Sequence, residues 1–283
     1  MRILTLAQFY PPMIGGEERH VRNLSVEFTR RGHEVHVATL RLGESAPPPV
    51  DDPGVTVHEL DSLGRKLPGV YADSERPMAL PLPDPVLTRE LYRLGRSVRA
   101  DVVHAHNWIV NSYLPVKRRL RAPLVLSLHD YSHVCATKRL MLDEQPCPGP
   151  SPARCLPCAG GHYGKPIGTT IWAAVRAGRP VRDRLVDRFT PVSHYVASAS
   201  GLVGVDGSMR EDTEIVANFV PDELAAGAGS QRDPLLPAGD FYFFAGDLSN
   251  QKGLSTLLAA YQRLTEPKLP LLMVGRWTAD LPE

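Results

Sequence analysis

Arg2-Ile3-Leu4-Thr5-Leu6-Ala7 opens the chain as a nearly unbroken apolar run, and its place ahead of a loop, a helix and a second strand decides the fold. The run is short and ends at a Pro11-Pro12, Gly15-Gly16 loop, so it reads as a strand buried on both faces. From Glu17 to Arg31, Val21, Leu24 and Phe28 recur at helical spacing, with acidic residues at the start, Arg30-Arg31 at the end and Gly32 at the capping position. Glu34 to Leu40 then reads as a second strand. Strand, helix and strand joined by short connections predict a parallel βαβ unit.

The alternation continues along the chain. Strands are predicted at Val55–Leu60, Asp101–Ala105, Pro123–Leu128, Phe189–Val192 and Glu214–Ala217. Asp84-Pro85 marks a helix start running to Val98, with aspartate as cap and proline in the first turn. A basic helix through Arg121 comes after the strand at 101–105. Pro166–Ala177, Val181–Asp187 and Tyr195–Val203 read as three further helices. Asp61–Leu82 is irregular, and Tyr131–Lys165 reads as one long loop. After the Ala/Gly/Pro-rich segment 221–240 a fresh unit begins: strand Phe241–Ala245, a loop with Gly246 and Lys252-Gly253, a helix to Leu264, and strand Leu269–Val274. The expected fold is α/β, a Rossmann-like doubly wound parallel sheet with an incomplete second Rossmann-like domain. The domain boundaries expected are 1–222, with a cysteine-rich insertion at 131–165, then a linker at 223–240 and a second domain at 241–283.

Composition narrows the classes. The 283 residues are 43% apolar and 22% charged, ordinary for a folded chain and unlike a disordered tail or a disulfide-dense module. Thirty-two basic residues against 31 acidic ones leave +1, so no global field draws in nucleic acid. No stretch approaches the roughly 20 apolar residues of a spanning helix. The N-terminus lacks the pattern of a signal peptide, so a cytoplasmic address is the expectation. Two basic runs, Lys117-Arg118-Arg119-Arg121 and Arg176, Arg179, Arg182, Arg184, Arg188, read as solvated helix faces. Their alternative reading is attraction to an anionic acceptor or peripheral contact with an anionic membrane at its inner face.

Polar residues collect after the predicted strands, on the edge where such sheets bind ligands. Gly15 and Gly16 precede a helix and would let backbone amides approach an anion. His104, His106, His129 and Asp130 come after the next strands, and His129-Asp130 could handle protons near neutral pH. Asn218 ends a later strand, and Lys252 could meet a phosphate as a point charge. The bland readings are a tight turn, packed histidines and a solvated lysine. All four cysteines, Cys135, Cys147, Cys155 and Cys158, fall within the 131–165 segment. One C-x2-C knuckle and two further thiols can supply a tetrahedral set, with His133 and His162 as spare ligands. A structural zinc is the first expectation, ahead of an iron–sulfur centre, free thiols or disulfides.

Taken in order, these motifs resemble a family. Phe9-Tyr10-Pro11-Pro12 with Gly15-Gly16, and Arg31-Gly32-His33-Glu34-Val35, are similar to the opening of the family 4 retaining glycosyltransferases. Asp101 to Trp108, Leu128-His129-Asp130, Val192-Ser193 and Val216 to Val220 resemble its later landmarks. Phe244 to Gly253 resembles the first loop of its nucleotide-binding domain, and a bacterial branch of the family carries a cysteine-rich insertion at the same place. The resemblance implies two Rossmann-like domains of GT-B type facing across a cleft. The first would bind a sugar, lipid-linked or small-molecule acceptor and the second a nucleotide-sugar donor, with no metal needed for the chemistry. Gly16 would approach the donor diphosphate, His129 the transferring sugar or the acceptor, and Lys252 the diphosphate. Asp247 departs from the pattern, since the family places an arginine there. The second-domain acidic motif is also missing. The 283 residues are therefore expected to be a fragment with little or no turnover of their own. The alternative is a non-catalytic acceptor-binding module derived from such an enzyme.

Overall fold

The computed structural model describes residues 1–43, 45–66, 78–143, 145–227 and 233–277. Much of the irregular stretch expected at Asp61–Leu82, and the middle of the expected linker, lie outside the described residues. The chain forms two compact units, Met1–Val220 and Pro221–Glu283.

The first unit is built on β1 (Arg2–Leu6), α1 (Gly16–Arg30), β2 (Glu34–Leu40), β3 (Val55–Leu60), the short α2 (Leu63–Lys66), α3 (Pro85–Val98), β4 (Val102–His106), α4 (Val110–Leu120) and β5 (Leu124–Leu128). It continues with the two-residue strands β6 (Met141–Leu142) and β7 (Gln145–Pro146), then α5 (Pro152–Tyr163), α6 (Lys165–Leu185), β8 (Arg188–Pro191) and α7 (His194–Ala199). Six of these strands make one parallel sheet in the order β3-β2-β1-β4-β5-β8. Strand order reverses between β1 and β4, where Thr5 pairs with His104 and Leu6 with Ala105. A crevice forms beyond the carboxyl ends of strands at such a point.

Both faces of the sheet are buried, as its apolar strands require. Val35, Val37 and Val55 pack with Val21 of α1 on one face. On the other, Leu4, Leu6, Ala38 and Leu40 pack with Leu87 and Leu91 of α3 and with Ile109 and Tyr113 at α4. This is the doubly wound α/β arrangement. Asp84 caps α3 as its sequence implies: Oδ1 accepts from the backbone N–H of Val86 at 2.8 Å and of Leu87 at 3.1 Å.

Four expectations need correction. The segment Tyr131–Lys165 is not a single loop, because it contains the β6–β7 hairpin and the 12-residue α5. Helices α5 and α6 touch backbone to backbone, and a Cβ at Gly168 would strike the Ala159 carbonyl. The two helices expected at 166–177 and 181–187 are one, α6, running through Pro180. Proline there cannot donate back along the helix. Ile171, Ala174 and Val175 hold the helix on the core, and the buried Arg182 side chain donates to the Val175 carbonyl at 3.3 Å beside the break. Arg182 thus belongs to no solvated face; it is 2% exposed. Lastly, Glu214–Ala217 runs extended beside β8 through a bridge between Thr213 and Phe189, without forming a full strand.

The second unit holds α8 (Asp222–Gly227), β9 (Tyr242–Ala245), α9 (Leu254–Gln262) and β10 (Leu271–Val274), with β9 and β10 paired in parallel. A Cβ at Gly275 would strike the Gly246 carbonyl, so the two strands leave the sheet in close contact. Asp247, anomalous in sequence, is answered locally: Arg276 Nη2 lies 3.5 Å from its carboxylate.

Candidate functional site

The site lies beyond the carboxyl ends of β1, β4 and β5. Gly15 is the N-cap of α1, with an extended backbone (φ −179°). Its lack of a side chain matters for space, because the Glu18 carboxylate folds against it. A Cβ at Gly16 would meet nothing within 4 Å. The two acidic residues of this first turn suit the positive end of the helix dipole. They also give the glycine turn a different character from the anion cradle expected of it.

His104, His106 and His129 come together as expected, and His20 of α1 joins them. His104 Nε2 lies 2.8 Å from Ser127 Oγ, whose oxygen is in turn 2.8 Å from Thr190 Oγ1. His104 is therefore held across the sheet. His106 is fully buried, and its Nδ1 lies 2.8 Å from His129 Nε2. One of these two nitrogens donates and the other accepts, so the pair shares one proton. His20 stands 5.0 Å from His129 between ring centroids, and Phe219 packs on it from the other side at 5.6 Å. Burial lowers all four imidazoles, His104 to about 4 and His129 to about 3, and the neighbouring rings lower those of His104, His106 and His129 further. They are neutral at pH 7. His20 Nδ1, His106 Nε2 and His129 Nδ1 are buried with no hydrogen-bond partner.

Beside the histidines the expected Asp130 joins a polar cluster whose other members, Glu17, Asn107 and Lys138, were not among the expected site residues. Asn107, at a left-handed φ of 60°, is its hub. Its Nδ2 donates to Glu17 Oε2 at 2.9 Å and lies 3.4 Å from Asp130 Oδ2. Its Oδ1 accepts from the Trp108 backbone N–H at 2.8 Å and from Lys138 Nζ at 2.8 Å. Lys138 also lies 4.1 Å over the Trp108 ring, a cation–π contact. Asp130 Oδ1 accepts from the Ser132 backbone N–H at 2.8 Å. Burial, aided by the charges of Asp130 and Glu18, pushes the Glu17 carboxyl up to about 7 against the opposing Asn107 hydrogen bond and Lys138 charge. Burial lowers the Lys138 ammonium, with Asp130 and Glu17 opposing. Besides Asp130, a sequence hint was Lys138, the sole lysine between Lys117 and Lys165.

Two further expected residues are exposed. Asn218 is exposed on the segment beside β8, and Lys252 is exposed in the second unit, in the turn before α9. The cysteines do not meet the expectation of a metal set: no group of three or more His, Cys, Asp or Glu among the described residues is arranged to hold an ion. The four thiols lie near one another, so that burial first and then their mutual charges raise Cys155 and Cys158, and two of them have local partners. Cys135 Sγ lies 3.4 Å from Thr137 Oγ1, and Cys147 Sγ 3.6 Å from the Gly149 carbonyl, while Cys155 and Cys158 ride on α5. All four are free thiols. His133, a spare ligand in sequence, is spent on Asp183 at 3.2 Å.

Comparison with known proteins gives a consistent result. The family described as Glycosyltransferase Family 4 matches residues 14–224. A glycogen synthase of Mycobacterium tuberculosis is 30% identical over 138 residues, which is 46% of this chain and 33% of that protein. Sucrose-phosphate synthase from Thermosynechococcus elongatus superposes with a TM-score of 0.57 at 15% identity, covering 97% of this chain and 62% of that one. Anabaena HepE, solved with UDP, gives 0.53 at 16% identity, covering 99% and 62%. At these identities the two structures speak to the fold, which is that of GT-B glycosyltransferases with Rossmann-like domains. The chain spans about a third of the glycogen synthase and under two-thirds of the two solved structures.

Proposed function

We propose, from the premise that this chain belongs to glycosyltransferase family 4, that it serves transfer of a sugar from a nucleotide-sugar to an acceptor hydroxyl with retention at the anomeric carbon. The observation that carries this reading is a coincidence of spans. The family match at 14–224 covers nearly all of the first unit, and the crevice of that unit gathers Glu17, His129 and Asp130 at the point where strand order reverses. The first unit then takes the acceptor, and the second takes the donor.

In the transfer, the bond from the anomeric carbon to the diphosphate oxygen breaks and a bond to the acceptor oxygen forms. The acceptor proton leaves with the nucleoside diphosphate. His129, neutral and held by His106, presents a hydrogen bond to the transferring sugar without adding charge. Lys252 neutralises the leaving diphosphate, and Arg276 offsets the charge of Asp247 beside that loop. Family membership implies chemistry that needs no cofactor. The exposed Arg118, Arg119 and Arg121 at the end of α4 provide a basic face for peripheral contact with anionic lipid. Among the described residues no helix is long and apolar enough to cross a membrane.

The test is calorimetric titration of the 283-residue chain with UDP-glucose and ADP-glucose. One of the two should bind, and Lys252→Ala should weaken it about tenfold, the worth of a single charge-assisted phosphate contact. Absence of binding to either nucleotide-sugar and to the free diphosphates would remove the donor reading.

A further inference from the structure

A cavity of about 330 Å³, lined by none of the crevice residues, lies between α6 and the cysteine-bearing segment. Its polar lining is His133, Ser151, Arg176 and Arg179, with Trp172 and Val175 on the same helix as the two arginines. Among the described residues no carboxylate lines it. The surrounding sequence is one-sided in charge: from Gln145 to Arg182 there is no acidic residue, while Arg154, Lys165, Arg176, Arg179 and Arg182 are basic. The protein occupies some of the lining groups. Arg179 Nη2 donates to the Ser200 carbonyl at 3.2 Å, and its Nε lies 3.6 Å from Asp183 Oδ2. His133 Nε2 lies 3.2 Å from Asp183 Oδ1, and burial lowers this imidazole against that contact, so it adds no charge. Arg176 is exposed one turn before Arg179, and has no hydrogen-bond or ion-pair partner among the described residues. The same holds for Trp172 Nε1 and the Ser151 hydroxyl. Three donors without a protein acceptor thus belong to the lining of one cavity.

We propose that this cavity binds a phosphomonoester carried on a ring, with the phosphoryl group at Arg176 and Arg179 and the ring against Trp172 and Val175. Charge decides the class of ligand. Arg176, Arg179, Arg182 and Arg210 stand against Asp183 and Asp212 in the network tied to the lining, an excess of two positive charges. A phosphomonoester brings about −1.5 to −2 at pH 7 and matches that excess, whereas a carboxylate brings a single charge. The planar guanidinium fork also fits phosphoryl oxygens. Ser151 and Pro152 begin α5, whose first turn holds no acidic residue, so the positive end of that helix adds to the field. Size decides the rest of the molecule. The volume falls within the range of small-molecule sites and is far more than inorganic phosphate needs. The apolar wall gives the remainder a surface, because an aromatic face packs against the flat face of a sugar or another ring. The cavity is built wholly within the first unit and needs neither a donor nor an acceptor in the crevice.

The experiment follows the indole N–H signals of the isotope-labelled 283-residue chain by NMR during titration with phenyl phosphate, ribose 5-phosphate, inorganic phosphate and benzoate. The tryptophans are Trp108, Trp172 and Trp277, so Trp172→Phe assigns the reporting signal. At least one of the two phosphomonoesters should shift Trp172 and leave Trp108, at the crevice, in place. It should bind at least tenfold more tightly than inorganic phosphate or benzoate. A response to ribose 5-phosphate alone would support the site and make the ring a sugar; a response to phenyl phosphate alone would support it and make the ring aromatic. Arg176→Ala removes a side chain the fold does not use and should weaken binding about tenfold, the worth of one charge-assisted contact. Arg184→Ala, an equal loss of charge at an exposed position two turns further along α6, should change it less than twofold. No shift of Trp172 with either phosphomonoester would overturn the proposal. So would equal losses in the two arginine variants, or movement of Trp108 with Trp172 unmoved. Inorganic phosphate or benzoate binding as tightly as the phosphomonoesters would mark an adventitious anion patch only, and would overturn it too.

Discussion

Asn107 Nδ2 donates to Glu17 Oε2 at 2.9 Å, joining residues 90 positions apart across the crevice where strand order reverses. The contact depends on a backbone that an L-residue adopts reluctantly, φ 60° at Asn107. Asparagine tolerates that region better than most side chains because its amide bonds locally, here to the Trp108 N–H. Two variants separate the conformational role from the bonding role. Asn107→Ala loses both and should cost about 2–3 kcal/mol of unfolding free energy. Asn107→Gly loses only the bonds and should recover about 1 kcal/mol of that. Urea unfolding of both proteins measures the difference. Equal midpoints would mean that the left-handed backbone stores no strain.

Much of the fold was legible because its signals are local. Leu4-Thr5-Leu6 and Val35 to Leu40 are apolar runs with no competing reading, and Asp84-Pro85 states a helix start in two residues. The histidines were legible as strand-end residues. The features that escaped notice depend on tertiary context. Helix α5 carries Pro157, Gly160 and Gly161, each a poor helix former, and is held by packing on α6. Pro180 suggested a break that the core and Arg182 override. Glu17 read as a dipole partner of its own helix; nothing near it in sequence points to Asn107 or Lys138.

Arg182 anchors the start of the cysteine-bearing segment. Its guanidinium donates to Asn111 Oδ1 at 3.0 Å and to the His133 carbonyl at 2.9 Å, and burial lowers it to about 10. Replacement by alanine leaves those acceptors buried and unpaired. Arg182→Ala should lose about 3 kcal/mol, well above the effect of Arg118→Ala on the exposed face. Thermal melts of the two variants side by side check the ranking. A small effect at Arg182 would mean that water replaces the guanidinium.

The second unit has its own sensitive point. Gly275 lies where a Cβ would collide with the Gly246 carbonyl, a backbone atom that cannot rotate away. Gly275→Ala should force β9 and β10 apart and cost about 1–3 kcal/mol, as overpacking does. Amide exchange should then speed up at Gly246 and Leu248, which donate across this contact to Val274 and Arg276. Exchange in the first unit should stay unchanged. Protection lost equally in both would contradict the division into two units.

The four crevice imidazoles make stability depend on pH with a definite sign. Each is held neutral in the folded chain, with His104 at about 4, His129 at about 3 and His106 well below its ordinary 6.5. As pH falls below 6.5, the unfolded chain takes up protons at these positions and the folded chain does not. Stability therefore falls as pH falls, by about 1.4 kcal/mol per pH unit for each such imidazole. Glu17 works in the opposite direction. Its folded carboxyl titrates at about 7 against 4.5 unfolded, so across that interval the folded chain holds the extra proton. Counting His104, His106 and His129 against Glu17, three imidazoles less one carboxyl contribute a slope of about 3 kcal/mol per pH unit near pH 5. Burial of His20, His58, His133 and His162 acts in the same direction as the three imidazoles. Urea midpoints at half-unit steps from pH 7 to 5 should drop accordingly. His106→Asn should flatten the slope by about one proton and Glu17→Gln should steepen it by about one. A midpoint constant over this range would mean that the imidazoles reach solvent and titrate freely.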